Sequence, residues 1–433
     1  LGDGLLPRIV GAVQEPGGHA GFDAHGLVYP LSEAAFTPPA PYSFVANPYT
    51  LIGTTDLVFI DAPGTGYSRA LGDAKAGDFY SVDADIDAFV GSIQRYLTKF
   101  DRWGSPKFLL GESYGATRAA MLGYRLQAKG TQLNGIILLS AALDIARFDT
   151  SQDNFYQSFL PTYAATTWFH DRVPGGRPAN LADFLIEARR FTNGPYAVAL
   201  AQGNNLADAD LDHVAVMMSR FTGLSPDYIR AARLRVEPDQ FRKALLRDKN
   251  VALGELDTRY VGADADPNAA TPEDDPSYRA IQSAYISSFH DYIGRQIGFR
   301  TGLNYNLAAS YGGDFTFNYS HKAPNGRFQY VVNALPDLAA ALRLNPHLKV
   351  LTLSGHYDLS TPFNGTDIDL SRLMIDPAQQ ANLSTVYFEA GHMAYVSPAA
   401  LGTVVSAIER FMQDSLVYPS CRGCEGRKPA AGK

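Results

Sequence analysis

Short continuous apolar runs alternate along this chain with segments whose apolar residues recur every three or four positions. Leu57-Val58-Phe59-Ile60, Lys107 to Leu110, Gly135-Ile136-Ile137-Leu138-Leu139-Ser140, His347 to Ser354 and Leu383 to Phe388 are the runs. Their length and the turn-forming residues around them predict strands, with Leu57 to Ile60 a buried one. Helical spacing lies between them. Val82, Ile86, Phe89, Val90, Ile93 and Leu97 share one face of a helix that begins near Ser81. Asp83, Asp85 and Asp87 stand at its N-terminal end, where the helix dipole favours negative charge. Ala116 to Gln127 and Leu338 to Leu344 also read as helices, and residues 397–413 as a closing amphipathic helix. Strand and helix in alternation predict a mainly parallel sheet flanked by helices, an α/β class.

The alternation breaks after Ala142 and resumes near Pro336. Residues 145–334 read as helices and loops with few apolar strands. Leu211, Val214, Met218 and Phe221 share a helix face, and Ser225-Pro226-Asp227 carries a helix-start signature. The acidic, proline-containing stretch Asp264 to Pro276 reads as an exposed loop. Trp168, Phe169, Tyr305, Tyr311, Phe315 and Tyr319 are expected near the end of the sheet, as core or as lining of a substrate site. The expected organisation is a core built from residues 1–144 and 335–415, a largely helical cap from 145 to 334, and a disordered tail over 416–433.

Composition narrows the function classes. The 433 residues are 46% hydrophobic and 19% charged, enough for a sizeable core. The net charge of −7 gives no reason to expect nucleic acid or an anionic membrane as partner. No apolar run reaches the length of a membrane span, and no signal peptide is visible in a chain that begins with Leu1. The two cysteines, Cys421 and Cys424, form a C-x-x-C in a tail rich in Gly and Pro. Without a second ligand pair nearby, no metal or catalytic role is expected for them.

The candidate chemistry centres on Gly111-Glu112-Ser113-Tyr114-Gly115. An apolar strand, a sharp turn with serine at its tip and a helix make up a nucleophile elbow. A serine hydroxyl needs a neighbouring base, and the base needs an acid to set its tautomer. In an open α/β sheet such groups sit on loops after the carboxyl ends of strands. Asp358 follows the strand ending at Ser354, and His392 follows the strand ending at Phe388. The order Ser113, Asp358, His392 is the chain order of an α/β-hydrolase triad. His356 competes as base but precedes the acid. Asp367 and Asp369 compete as acid, and Asp358 could instead cap the helix starting near Thr361-Pro362.

Four motifs together resemble the bacterial branch of the serine carboxypeptidases: Gly111 to Gly115, Asp61-Ala62-Pro63-Gly64-Thr65-Gly66-Tyr67-Ser68, Gly355-His356-Tyr357-Asp358-Leu359-Ser360-Thr361-Pro362, and Ala390-Gly391-His392-Met393. Residues 254–260 are similar to a further segment of that branch, and the resemblance runs to about residue 415. It implies an α/β-hydrolase core with a helical cap and release of C-terminal residues from peptides through an acyl-enzyme, without cofactor or metal. Ser113 would be the nucleophile, His392 the base and Asp358 the acid, with the Tyr114 backbone N–H as an oxyanion donor. Glu112 would bind the substrate's terminal carboxylate. One of two adjacent carboxyl groups must then hold a proton, which favours peptide cleavage at acidic pH. A secreted or periplasmic location is implied by resemblance alone. The family's Asn-Gly-Gly-Pro-Gly loop, source of the second oxyanion donor, is not in the chain. Leu1 to Arg8 resembles the stretch that follows that loop, and Glu15-Pro16-Gly17-Gly18-His19 is a misplaced match. This motivates two alternatives: an esterase or acyltransferase with the same triad, and a catalytically impaired binding protein.

Overall fold

The computed structural model describes residues 9–13, 25–27, 36–42, 45–306 and 316–416. Its centre is a sheet of six parallel strands: β1 (Ile9–Val13), β2 (Asp56–Phe59), β3 (Lys107–Ser113), β4 (Gly135–Ala141), β5 (Lys349–Gly355) and β6 (Leu383–Phe388). The spatial order is β6-β5-β4-β3-β1-β2. β3, β4 and β5 are central and almost wholly buried, which is why their sequences are apolar on both faces.

Helices cover both faces. α1 (Val82–Lys99) and α2 (Tyr114–Ala128) share one core cluster with part of the sheet. Ser81 caps α1, its Oγ accepting from Ala84 N at 3.3 Å. Asp85 lies in the first turn as expected, and it also turns inward to the Arg118 Nε–H of α2 at 2.6 Å, both side chains buried. The opposite face is sealed by a final helix, described below.

The chain between β4 and β5 is largely helical. α3 (Asp153–Phe169), α4 (Leu181–Phe191) and α5 (Asp208–Thr222) bury Phe159, Tyr163, Phe184, Met218 and Phe221 in one cluster. Tyr357, Leu359 and Phe363 join that cluster from the loop after β5. A small antiparallel hairpin pairs Val251–Leu253 with Val261–Ala263, and α6 (Pro276–Asp291) follows it. The loop over 264–276 is mostly exposed as expected, except that Asp264 takes the Nζ of buried Lys243 at 2.6 Å. α7 (Leu335–Leu344), α8 (Phe363–Ser371) and α9 (Pro398–Asp414) complete the fold, and α9 packs its apolar side on the sheet. Among the described residues, no helix is long and apolar enough to cross a membrane. Leu1 to Arg8, Glu15 to His19, Tyr311, Phe315, Cys421 and Cys424 lie outside the described residues.

One polar clamp ties the end of the helical segment to the sheet layer. His321 Nδ1 meets Asp83 of α1 at 2.8 Å, and Nε2 meets Asp337 of α7 at 3.0 Å. Burial opposes charge on this ring, but hydrogen bonds to Asp337 and Asp83 outweigh it and push the imidazole up to about 9. Burial raises Asp337, while the same histidine helps to lower Asp83, with Arg125 contributing at both. A histidine raised in the folded state stabilises below its ordinary value of 6.5 and loses that contribution as pH rises through about 9. The melting-temperature gap between wild type and His321→Gln is therefore expected to be widest near pH 6 and to close above about pH 9. A gap independent of pH would contradict an ionic clamp.

Candidate active site

Ser113 ends β3 and precedes the first residue of α2 with φ 58° and ψ −125°, a conformation that an L-residue holds only when its surroundings impose it. The turn is tight. A Cβ on Gly111 would lie 2.0 Å from the Gly115 carbonyl oxygen, so only glycine lets the strand meet the helix here. The Thr117 hydroxyl fastens the helix to the end of β4 through Ala142 O. Tyr114 is the first residue of α2. Its N–H therefore stands at the helix N-terminus, where partial positive charge collects.

The acid and base candidates arrive on the next strands of the sheet. Asp358, fully buried after β5, places Oδ2 2.8 Å from Nδ1 of His392, which stands after β6 and is 6% exposed. Asp358 Oδ1 accepts the N–H groups of Ser360 and Thr361, each at 2.8 Å. The aspartate thus both shapes its own turn and holds the imidazole; the capping alternative and the pairing with His392 coexist. The Thr361 hydroxyl sits 2.7 Å from Asp358 Oδ2, 2.9 Å from Ser140 O and 3.0 Å from His392 Nδ1. Since Asp358 acts as acceptor for its neighbours, Nδ1 carries the proton and Nε2 the lone pair.

Ser140 connects this pair to the elbow. It lies in β4, beside the strand that ends in Ser113, and Ser113 is in register with Ala141. Ser140 Oγ donates to the His392 carbonyl at 2.7 Å. The ends of β3, β4, β5 and β6 are therefore joined across one edge of the sheet, the place where open α/β sheets bind ligands.

Glu112 is buried beside Ser113, and its Oε1 accepts from Tyr395 Oη at 3.2 Å. Tyr395 comes from the loop after His392, so this bond also links elbow and base loop. Aromatic rings border the elbow: Tyr114 packs edge-on against Phe317 and Tyr319, with centroids at 5.9 and 6.3 Å. Tyr67 meets Tyr305 and Phe299, each at 5.1 Å. Asp61 accepts Tyr67 N at 2.9 Å, which curls the 61–68 loop. Phe169 packs on Tyr357, next to Asp358, at 5.5 Å. Trp168 points elsewhere, donating to Pro178 O under the Arg177 guanidinium.

The competing residues are engaged elsewhere. His356 stacks on Tyr387 at 5.6 Å and against Phe363, and burial pushes its imidazole down to about 4. Asp367 accepts from Tyr387 Oη at 2.6 Å and pairs with Arg189 at 2.9 Å. Asp369 pairs with buried Arg147 at 2.7 Å, and burial holds its carboxyl up near 6 despite that partner. Thr361, Ser140 and Tyr395 were not singled out from the sequence. Thr361 alone had a local signal, as the hydroxyl three residues beyond Asp358 and just before a proline. No group of three or more His, Cys, Asp or Glu arranged to hold a metal occurs among the described residues.

A six-stranded parallel sheet with serine at a strand-to-helix elbow, and an aspartate and a histidine following later strands, defines an α/β-hydrolase fold. Similar solved structures include KEX1(DELTA)P, a prohormone-processing carboxypeptidase from Saccharomyces cerevisiae, at 12% identity and TM-score 0.45, covering 94% of this chain and 83% of that one. Proline iminopeptidase from Mycobacterium smegmatis is similar at 13% identity and TM-score 0.35, covering 96% and 91%. A soluble variant of monoglyceride lipase from Saccharomyces cerevisiae, in complex with a substrate analogue, is similar at 10% identity and TM-score 0.35, covering 96% and 89%. No family model and no curated protein matches the chain. Likeness at this level shows the fold and does not choose among activities.

Proposed function

We propose that this protein is a serine hydrolase of the carboxypeptidase type. The observation that carries the reading is the 2.8 Å bond between His392 Nδ1 and buried Asp358, on the loops after β6 and β5, at the same end of the parallel sheet as the strained Ser113 elbow of β3. Ser113 Oγ attacks the scissile carbonyl while His392 Nε2 takes its proton. Asp358 stabilises the imidazolium, and the Tyr114 N–H donates to the developing oxyanion. The leaving amine takes the proton from His392, and water then releases the acyl group by the same path in reverse. Residues 145–334 act as a cap over the sheet end, with the aromatic residues around Tyr114 and Tyr67 bordering the site.

Glu112 supports free peptide C-termini as substrate. Its buried carboxyl group lies next to the nucleophile, where it can share one proton with the substrate's terminal carboxylate. kcat/KM for an N-acylated dipeptide is therefore expected to rise as pH falls, because the protonated form of Glu112 binds. Glu112→Gln is expected to flatten that rise while turnover of a p-nitrophenyl ester is kept within about threefold. A peptide profile that does not rise toward acid, or is unchanged in the variant, removes the carboxylate-recognition role. The esterase reading has one observation in its favour: Glu112 already has a structural partner in Tyr395. Fluorophosphonate labelling and ester turnover without release of C-terminal residues select the esterase. A folded protein that resists labelling at Ser113 selects the impaired binding protein.

A further inference from the structure

Residues 254–260 form the tip of the hairpin that pairs Val251–Leu253 with Val261–Ala263, and this tip is wedged between the acid loop and the base loop. On the acid side, Thr258 N donates to Tyr357 O and Leu359 N to Glu255 O, each at 3.0 Å, so Asp358 is bracketed by two backbone bonds to the tip. On the base side, His392 N donates to Leu256 O at 2.6 Å.

One side-chain pair spans both loops. Asp257 and Arg259 are buried and joined at 2.7 Å, with further bonds from Arg259 Nε and N to Asp257 Oδ1, both at 3.0 Å. Asp257 Oδ2 also accepts Gly391 N at 3.0 Å, immediately before the base. Arg259 Nη1 donates to Glu389 O at 2.8 Å, and its guanidinium lies over the Tyr357 ring at 5.1 Å. A planar fork of donors can serve a carboxylate, a carbonyl and an aromatic face at once, which an ammonium cannot. The base loop has no slack around this pair. A Cβ on Gly391 would fall 2.0 Å from Leu256 O, and a Cβ on Gly355 would fall 2.2 Å from Gly391 O. The loop is pressed between the end of β5 and the hairpin tip.

We propose that Asp257 and Arg259 are positioning residues for the reaction: together they set the distance and angle at which His392 meets Asp358 and Ser113. The inference rests on the triad reading above. Both residues are bonded to the loop that carries the base, and Arg259 also lies over the ring before the acid. They act through Gly391, Glu389 and Tyr357, and a shift of about 1 Å in a catalytic group costs about a hundredfold in rate. The same hairpin is anchored in the helical segment, because Asp275, which caps α6, accepts the N–H groups of Glu255 and Leu256 at 2.8 and 3.2 Å. The helical segment thereby sets the geometry of the base.

The test uses the full chain with p-nitrophenyl butyrate and a fluorophosphonate. Asp257→Asn and Arg259→Met are expected to lower kcat and the labelling rate of Ser113 by about ten- to a hundredfold, with KM changed by less than about threefold. Arg259→Lys, which keeps the charge but not the fork, is expected to fall between wild type and Arg259→Met. A second readout does not need turnover. The downfield proton resonance of His392 Nδ1–H, identified by its loss in His392→Gln, is expected to broaden or vanish in Asp257→Asn while the near-UV circular dichroism persists. If Asp257→Asn does not fold, Arg259→Lys carries both measurements. Unchanged kcat and an unchanged resonance, or a loss carried by KM alone, overturn the proposal. Ser113→Ala and His392→Gln serve as controls: if they remain active, the triad reading itself is wrong, whereas inactive controls beside fully active Asp257 and Arg259 variants defeat only the positioning role.

Discussion

Ser113→Ala is expected to abolish fluorophosphonate labelling and to lower ester kcat by about six powers of ten, because a triad without its nucleophile retains only binding and oxyanion assistance. The substitution suits the question. Alanine keeps the Cβ at φ 58° and therefore keeps the local strain, and it removes only Oγ. The melting temperature should stay close to that of wild type, so lost activity cannot be ascribed to lost fold. Residual turnover above about one thousandth of wild type would mean that another residue is the nucleophile.

Asp358→Asn is expected to cost about four powers of ten in kcat with little change in overall structure. The hydrogen bonds make the direction of the effect specific. Asp358 Oδ1 accepts the backbone N–H groups of Ser360 and Thr361, so the asparagine oxygen must stay on that side. Its NH2 group is then turned toward His392 Nδ1 and the Thr361 hydroxyl. A donor facing Nδ1 forces the imidazole proton onto Nε2, where a base needs its lone pair. Activity should recover in part at higher pH, where removal of that proton becomes less costly. If Asp358→Asn stays within about tenfold of wild type, Asp358 is not the acid of a triad. The weaker effects predicted for Asp257 and Arg259 follow from the same geometry one step further out: they hold the loops, and Asp358 holds the ring.

Much of this arrangement was legible because it is local. The apolar runs that became β3, β4 and β5 are buried on both faces, and such strands must be apolar along their whole length. The helix after Ser81 announced itself through its cap and its face. Gly111 and Ser113 could be read together because the crowding that demands glycine arises within a five-residue turn. What could not be read were contacts whose two halves lie far apart in the chain. Asp85 reads as an acidic residue at the start of a helix, and nothing local shows that it is also the buried partner of Arg118. Asp257 and Arg259 are two residues apart, yet their function is written in Glu389 and Gly391. Tyr395 gave no hint that it would reach Glu112.

The sequence by itself determined the kind of sheet, the turn that strains Ser113 and the chain order in which an aspartate and a histidine could follow it. These depend on apolar periodicity and on sterics within one turn. Only the tertiary structure decided which acid meets which base. Asp358, Asp367 and Asp369 are close in sequence and chemically alike, but register and packing send the first to His392, the second to Tyr387 and Arg189, and the third to Arg147. His356 and His392 both follow strands, yet one ring is stacked between aromatic side chains and the other is held by a carboxylate. Direction, not identity, separates them, and a side chain's direction is set by neighbours that the sequence does not place side by side.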